Sequence, residues 1–248
     1  MNLKLSDEER AFERRISDMI DLSERHYCTK YSTFLNEREQ LIAENAARSA
    51  GAEYALFGGY DGAVRKAIGI GGYSRNEEDF PIKAVTFTFR KADTLSHRDF
   101  LGALMSMNIK RELIGDILTG EGYGIVFCTD TAQQLMLDEI TKVGRVGVTA
   151  EAGIHAEIPE SRSAEISGIV SSLRADSVAT IVTGLSREKA ALLIKSGKMQ
   201  VNCIECDVSA AVSEGDRITI NGFGKFILDD AGSITKKGRI HIRLRKFI

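Results

Sequence analysis

Apolar and polar positions alternate with different periods in three successive stretches of the chain. In the first fifty residues the period is helical. Ser6 followed three residues later by Glu9 has the spacing in which each side chain bonds the other's backbone N–H at a helix start. Phe12, Ile16, Met19 and Ile20 then share one face. Asn36 with Glu39 repeats the signal, Leu41, Ile42 and Ala46 continue it, and Ala50-Gly51 ends it. "YALFGGY" and "RKAIGIGGY" read as two strands about a turn at Asp61-Gly62. The polar run "SRNEEDFP" marks a boundary near residues 74–80. Beyond it come a strand ("IKAVTFTF"), a helix over 96–108 with Phe100, Leu101, Leu104 and Met105 as its apolar face, and two strands ("IGDIL", "YGIVFCT") about a turn at 120–122. A helix over 131–143 and a final strand ("RVGVTAEAG") follow. This β-α-β-β-α-β order is that of the split ferredoxin-like unit, which the RNA-recognition motif shares.

"IPESRSAEISGIVSS" reads as a connection with a short amphipathic element, and a third stretch begins near Leu173. In "LSREKAALLIKSGKMQVN" (185–202), Ser186 suits an N-cap, Gly197 suits the position after a helix end, and Ala190, Leu193 and Ile194 mark the core side. At roughly 100° per residue, Ala191 lies about 40° from Arg187 and Lys195 about as far again, so two cations flank a small residue. Short strands follow, ending in "TKKGRIHIRLRKFI". Side chains alternate in a strand, so Ile240, Ile242 and Leu244 face a core while Arg239, His241, Arg243 and Arg245 line the opposite side. The expected fold is α+β: a helical N-terminal domain with a β-hairpin (1–75), a ferredoxin/RRM-like middle domain (76–160) and a small C-terminal α+β module (173–248).

Composition sharpens the picture of the third stretch. The formal net charge of the 248 residues is −2, which alone argues against a nucleic-acid binder. Residues 174–248, however, hold 13 Lys+Arg against 8 Asp+Glu, a net of +5, leaving −7 for residues 1–173. A polyanion neutralised by several cations at once releases counterions and gains affinity. The competing reading of the terminal strand is a charged edge that blocks aggregation. In the middle stretch, "GYGIV" resembles the third strand of an RNA-recognition motif, with Tyr123 as a stacking residue, yet Glu121 and Ile125 depart from that motif. The bland alternative gives Tyr123 and Phe127 packing roles. No apolar run nears the roughly 18 residues of a membrane span, the N-terminus carries charges where a signal peptide has an apolar core, and four cysteines are too few for a disulfide scaffold. A cytoplasmic setting without membrane contact is expected.

Arg174-Ala175-Asp176, "LSREKAALLIKSGKMQVN" and "VSEGDRITI" together resemble the S-four-type RNA-binding domain named for a small-subunit ribosomal protein. Ala175 and Met199 are mild apolar departures from its pattern, and Cys203 stands where a small turn residue is common. "FLNEREQ", "FGGYDGAVRKAIGI", "SHRDFLGALMSMNIKRELIGDI" and "KVGRVGV" extend a resemblance to the bacterial YlmH family over nearly the whole chain. The resemblance implies binding to ribosomal RNA of the large subunit, with peptidyl-tRNA as a further partner, in the rescue of stalled subunits. An association with cell division is also known for that family. It further implies that Ser186, Arg187, Lys195 and Lys198 line an RNA-facing groove, with Arg174 on the same surface. Lys236, Lys237, Arg239 and Arg243 join them on the charge argument.

Other chemistry is weakly signalled. "CIEC" (203–206) is one CxxC pair, whereas a structural zinc site needs four ligands. The glycines of "GIGGYS" lack the Lys-Ser/Thr ending of a P-loop. His97 and Asp99 fit a helix start better than a catalytic pair. A non-enzymatic protein without metal, cofactor or small-molecule substrate is expected. The alternatives are an RNA-modifying enzyme, pseudouridine-synthase-like, that anchors through the module, and a cell-division interaction protein.

Overall fold

Reciprocal capping opens both N-terminal helices. In α1 (Asp7–His26) the Ser6 N–H donates to Glu9 at 2.9 Å, and Glu9 N–H donates to Ser6 Oγ at 3.2 Å. A two-residue strand, β1 (Lys30–Tyr31), separates α1 from α2 (Glu37–Ala50), which Asn36 and Glu39 cap in the same manner. β2 (Tyr54–Phe57) and β3 (Ala67–Ile70) are the expected pair, and β1 adds to the free side of β3, giving the antiparallel order β1-β3-β2. The apolar stripes of both helices meet this sheet around Ile16, Ile20, Ala43, Ile68 and Ile70. The computed structural model describes residues 5–72, 76–159, 163–232 and 238–247.

The middle stretch folds in the predicted order: β4 (Lys83–Thr88), α3 (His97–Ser106), β5 (Ile114–Gly120), β6 (Tyr123–Cys128) and α4 (Asp130–Glu139). A hairpin of β7 (Lys142–Val143) and β8 (Val146–Gly147) then precedes β9 (Thr149–Ala152). The sheet runs β5-β6-β4-β9 and is antiparallel throughout. Two boundaries depart from the sequence reading. α4 stops at Glu139, where Ile140 turns extended (ψ 101), and Gly144 at φ 60 folds what read as one strand into a hairpin plus β9.

Both faces of that sheet are covered. Val85, Phe87, Val126 and Cys128 pack under α3 and α4 against Phe100, Leu104, Ala132 and Met136. On the reverse face, Ala84, Ile125 and Phe127 pack against Phe34, Tyr60, Ile82 and Ile158. Phe34 sits so close to β5 that a Cβ on Gly115 would lie 2.6 Å from its ring. The loop between β2 and β3 is tied down as well. Asp116 accepts from Val64 N at 2.6 Å, Arg65 N at 3.1 Å and Tyr60 Oη at 3.0 Å. The Arg65 guanidinium donates to the carbonyls of Ile114, Phe34 and Arg111. The expected division at 75/76 is therefore not a break in packing, and residues 1–159 form one compact unit with 160–248 as the second.

The second unit begins earlier than the sequence suggests. Residues read as a connection form β10 (Ser163–Val170), with Glu165, Ser167 and Ile169 outward and Ile166, Gly168 and Val170 inward. α5 (Ala175–Thr183), α6 (Arg187–Lys195), β11 (Met199–Val201), β12 (Ile204–Glu205), β13 (Arg217–Ile220), β14 (Gly224–Asp230) and β15 (Ile240–Phe247) follow. The six strands run β10-β15-β14-β13-β11-β12. β15 is thus an inner strand, paired along its length with β10, and not a protective edge. Both helices lie on one face, where Ala175, Val178, Ala190 and Ile194 meet Ile218, Phe226, Leu228, Ile242 and Leu244. Asn202 and Cys203, both at positive φ (51 and 61), make the two-residue turn between β11 and β12, the backbone that right-twisted hairpins favour.

Candidate nucleic-acid interface

The start of α5 is pinned to the segment before β13. Ala175 N–H donates to Ala210 O at 2.8 Å, Asp176 N–H to Val208 O at 3.2 Å and Val212 N–H to Leu173 O at 2.9 Å. This places Asp176 in the first helical turn as a buried residue, 3% exposed overall. A lone buried carboxylate is costly. Here it is matched on both oxygens: Arg174 Nε donates to Oδ1 at 3.2 Å and Arg187 Nε donates to Oδ2 at 2.9 Å. Ser177 N–H adds a bond to Oδ1 at 2.9 Å. Burial pushes the Asp176 carboxyl up, but the hydrogen bonds and charges of Arg187 and Arg174 outweigh it, holding the group below its ordinary value.

α6 is built as its sequence indicates. Ser186 takes the N-cap, its hydroxyl accepting from Lys189 N at 3.4 Å, and Ala190 and Ile194 are buried. Gly197, at φ 70, carries the chain away from the helix, its N–H bonding Ile194 O at 2.9 Å. Lys195 is exposed in the last turn, where the helix dipole favours a cation. Lys198 is also exposed, and its backbone is held on both sides, N–H to Leu193 O at 3.3 Å and carbonyl to Asn221 N at 2.9 Å. Leu192, 67% exposed, lies on the same outward helix surface. The structure therefore brings Arg174 and Arg187 together about one carboxylate, while Lys195 stands at the far end of α6, about 12 Å along the helix axis from Arg187, and Lys198 follows just beyond the helix end.

The terminal strand is arranged differently. Its pattern is as predicted, with Ile242 and Leu244 buried and His241, Arg243 and Arg245 exposed. The helices cover the buried face, so Arg243 and Arg245 lie on the opposite side of the sheet from α6. They also meet acids on β14: Arg243 Nε is 3.5 Å from Asp230, and Arg245 is 2.8 Å from Asp229. Arg239 is exposed just before β15. Lys236 and Lys237 lie outside the described residues. Asp176 stands in the Arg174-Ala175-Asp176 run, but nothing local in the sequence marks it as the organiser of the arginines. The acids facing β15 were also missed, their only signal being Asp229-Asp230 one hairpin upstream.

In the first unit the reverse sheet face is closed to stacking. Phe127 is 1% exposed and stacks on Tyr60 with centroids 4.9 Å apart. Tyr123 donates its hydroxyl to Glu157 O at 2.8 Å. The packing roles hold for both rings. Asp99 accepts from Ser96 N at 2.8 Å and Ser96 Oγ at 2.6 Å, as a helix-start residue does. Neither Cys203 nor Cys206 is disulfide-bonded, and burial first, then the Asp207 charge, pushes the Cys206 thiol up. Among the described residues no group of three or more His, Cys, Asp or Glu is placed to hold a metal ion, and no helix is long and apolar enough to cross a membrane.

Fold and site define a two-unit α+β protein whose second unit presents a cationic helix and loop above an antiparallel sheet. The family model described as "Putative RNA-binding domain in YlmH" matches residues 75–156. A Bacillus subtilis (strain 168) protein named "Ribosome-associated protein quality control protein P2" is 34% identical over 252 residues, spanning 96% of this chain and 95% of that protein. The chain belongs to the YlmH family. The solved structure named "Cell division protein ylmH from Streptococcus pneumoniae" superposes with a TM-score of 0.53 at 22% identity, over 61% of this chain and 94% of that one, a likeness of fold.

Proposed function

We propose that this protein is a non-catalytic, cytoplasmic RNA-binding protein that docks on ribosomal RNA of the large subunit and assists the rescue of stalled subunits carrying peptidyl-tRNA. The observation that carries the reading is the α5–α6 surface, where Arg174 and Arg187 are organised by one buried acid and Lys195 and Lys198 stand exposed on the same helix and its exit. The name of the Bacillus subtilis relative supports the ribosomal setting. In this reading the second unit is the S-four-type, αL-motif module. The β4–β9 segment is a ferredoxin/RRM-like unit, and its RNA contacts use surfaces other than the stacking face that Phe34 and Tyr60 cover. Phosphate contacts supply most of the affinity, and RNA shape supplies the specificity.

The test is sedimentation of tagged full-length protein through sucrose gradients of cell lysate at low and raised salt, beside an Arg187→Glu/Lys195→Glu variant. Wild type travels with large subunits and the variant stays near the top, with the difference shrinking as salt rises. Co-sedimentation of the variant at wild-type level refutes the site. Wild type that stays at the top refutes the ribosomal reading.

A further inference from the structure

Arg174 and Arg187 each reach Asp176 through Nε alone. Among the described residues neither guanidinium makes another hydrogen bond or ion pair, so the terminal amino groups of each keep their donors unused. The arginine side chains are 40% and 58% exposed, and the carboxylate beneath them is 4% exposed. One buried anion shared by two part-exposed cations leaves a net positive charge with unused N–H donors on both guanidiniums. A phosphodiester oxygen pair matches such a fork of N–H groups. Unanchored, the two guanidiniums repel each other and sample many rotamers. Anchored, they have already lost that freedom when the chain folds.

We infer that Asp176 is a positioning residue that fixes Arg174 and Arg187 as a single two-guanidinium clamp for the sugar-phosphate backbone of RNA. The inference rests on the RNA-binding reading above and predicts an effect opposite in sign to plain electrostatics. Removing an acid from a surface that meets a polyanion raises affinity when the acid acts only as a charge. Removing Asp176 lowers it, because the clamp loses its geometry although the net charge becomes more positive.

The experiment measures binding of labelled full-length protein to purified large and small ribosomal subunits and to total ribosomal RNA, across a salt series. Asp176→Asn binds about tenfold more weakly than wild type, with the slope of log affinity against log salt reduced by about one. Glu188→Gln, which removes an exposed acid of α6 that pairs with neither arginine, binds as tightly as wild type or more tightly. In an Arg187→Gln background the further change Asp176→Asn costs less than threefold. A merely structural role for Asp176 leaves its cost undiminished in that background. Should Asp176→Asn lack the wild-type far-UV circular dichroism, Arg174→Gln, Arg187→Gln and their double variant decide. A clamp gives a double loss well short of the product of the single losses. Wild type that binds neither subunits nor RNA overturns the functional reading and this inference with it. Wild type that binds, with Asp176→Asn equally tight or tighter, or with fully multiplicative arginine losses, overturns the positioning role alone.

Discussion

Asp116 joins the β2–β3 loop to β5, and its replacement by Asn tests how residues 5–72 are held to the four-stranded sheet. Two donors, Tyr60 Oη and Val64 N, share Oδ2, and Arg65 N uses Oδ1. An amide keeps the shape but offers one acceptor oxygen and one NH2 donor. With the oxygen in the Oδ2 position, the NH2 faces Arg65 N, and one bond becomes a donor–donor clash. In the other orientation two bonds are lost. An unmatched donor at a part-buried site costs about 1–3 kcal/mol, and losing the anion weakens the bonds that remain. The expected loss is about 3 kcal/mol, on the order of 9 °C in melting temperature for a unit of this size. Tyr60→Phe removes a donor together with its bond and costs about 1 kcal/mol. The chain has no tryptophan, so far-UV circular dichroism against urea is the assay. The Tyr60 phenol provides a second readout. Burial first, then the charge and hydrogen bond of Asp116, hold its pKa far above the ordinary value, so Asp116→Asn lowers it in an absorbance titration. Stability within about 0.5 kcal/mol of wild type, or a cost no greater than that of Tyr60→Phe, refutes the account.

Phe34→Ala empties the pocket between Ala84, Ile125 and Phe127 and costs about 3–5 kcal/mol in urea unfolding, one cooperative transition losing β1–β3 and β4–β9 stability together. Glu9 is held at about 2, below its ordinary 4.5, by the Arg38 side-chain bond and then the Ser6 backbone bond. Its contribution is therefore present above pH 4.5 and lost as pH falls toward about 2, and Glu9→Gln flattens the urea midpoint against pH over that window. The Cys128 thiol is pushed up to about 12 by burial and then by the Asp130 charge, so iodoacetamide modifies Cys128 only after denaturation, as mass mapping of alkylated peptides will show.

Local signals carried most of the element order. Capping pairs, a glycine after each of several helices and the β-α-β-β-α-β alternation depend on neighbours in sequence, and α1, α2, α3 and α6 start where those signals stand. Features set by distant pairing were not legible. β1 has two residues and exists because β3 offers it an edge. β10 read as a connection because Ser163, Ser167 and Gly168 weaken the apolar alternation. Its partner β15, some seventy residues away, makes it a strand, and the missing side chain of Gly168 admits Ile181 of α5. The unity of residues 1–159 rests on Phe34 and Asp116, which no periodicity marks as partners of the sheet.

The candidate site divides on the same principle. α6 lies in one local segment, so its cap, core face and exposed cations follow from spacing. The anchor of Arg187, eleven positions back in another helix, does not. For the terminal strand the count of six Lys+Arg without an acid after Ser233 suggested an unopposed cationic face. A strand's field, however, includes its lateral neighbours, and β14 sets Asp229 and Asp230 beside Arg245 and Arg243. Cations matched by exposed acids release few counterions when a polyanion arrives, because their charge is already partly balanced. Cations above a buried acid that each uses only at Nε keep their outer donors for a ligand. The two surfaces thus contribute unequally. Charge reversal at Arg187 is expected to weaken RNA binding more than reversal at Arg243, and equal losses in the same salt series would show that the balance on β15 is broken when RNA binds.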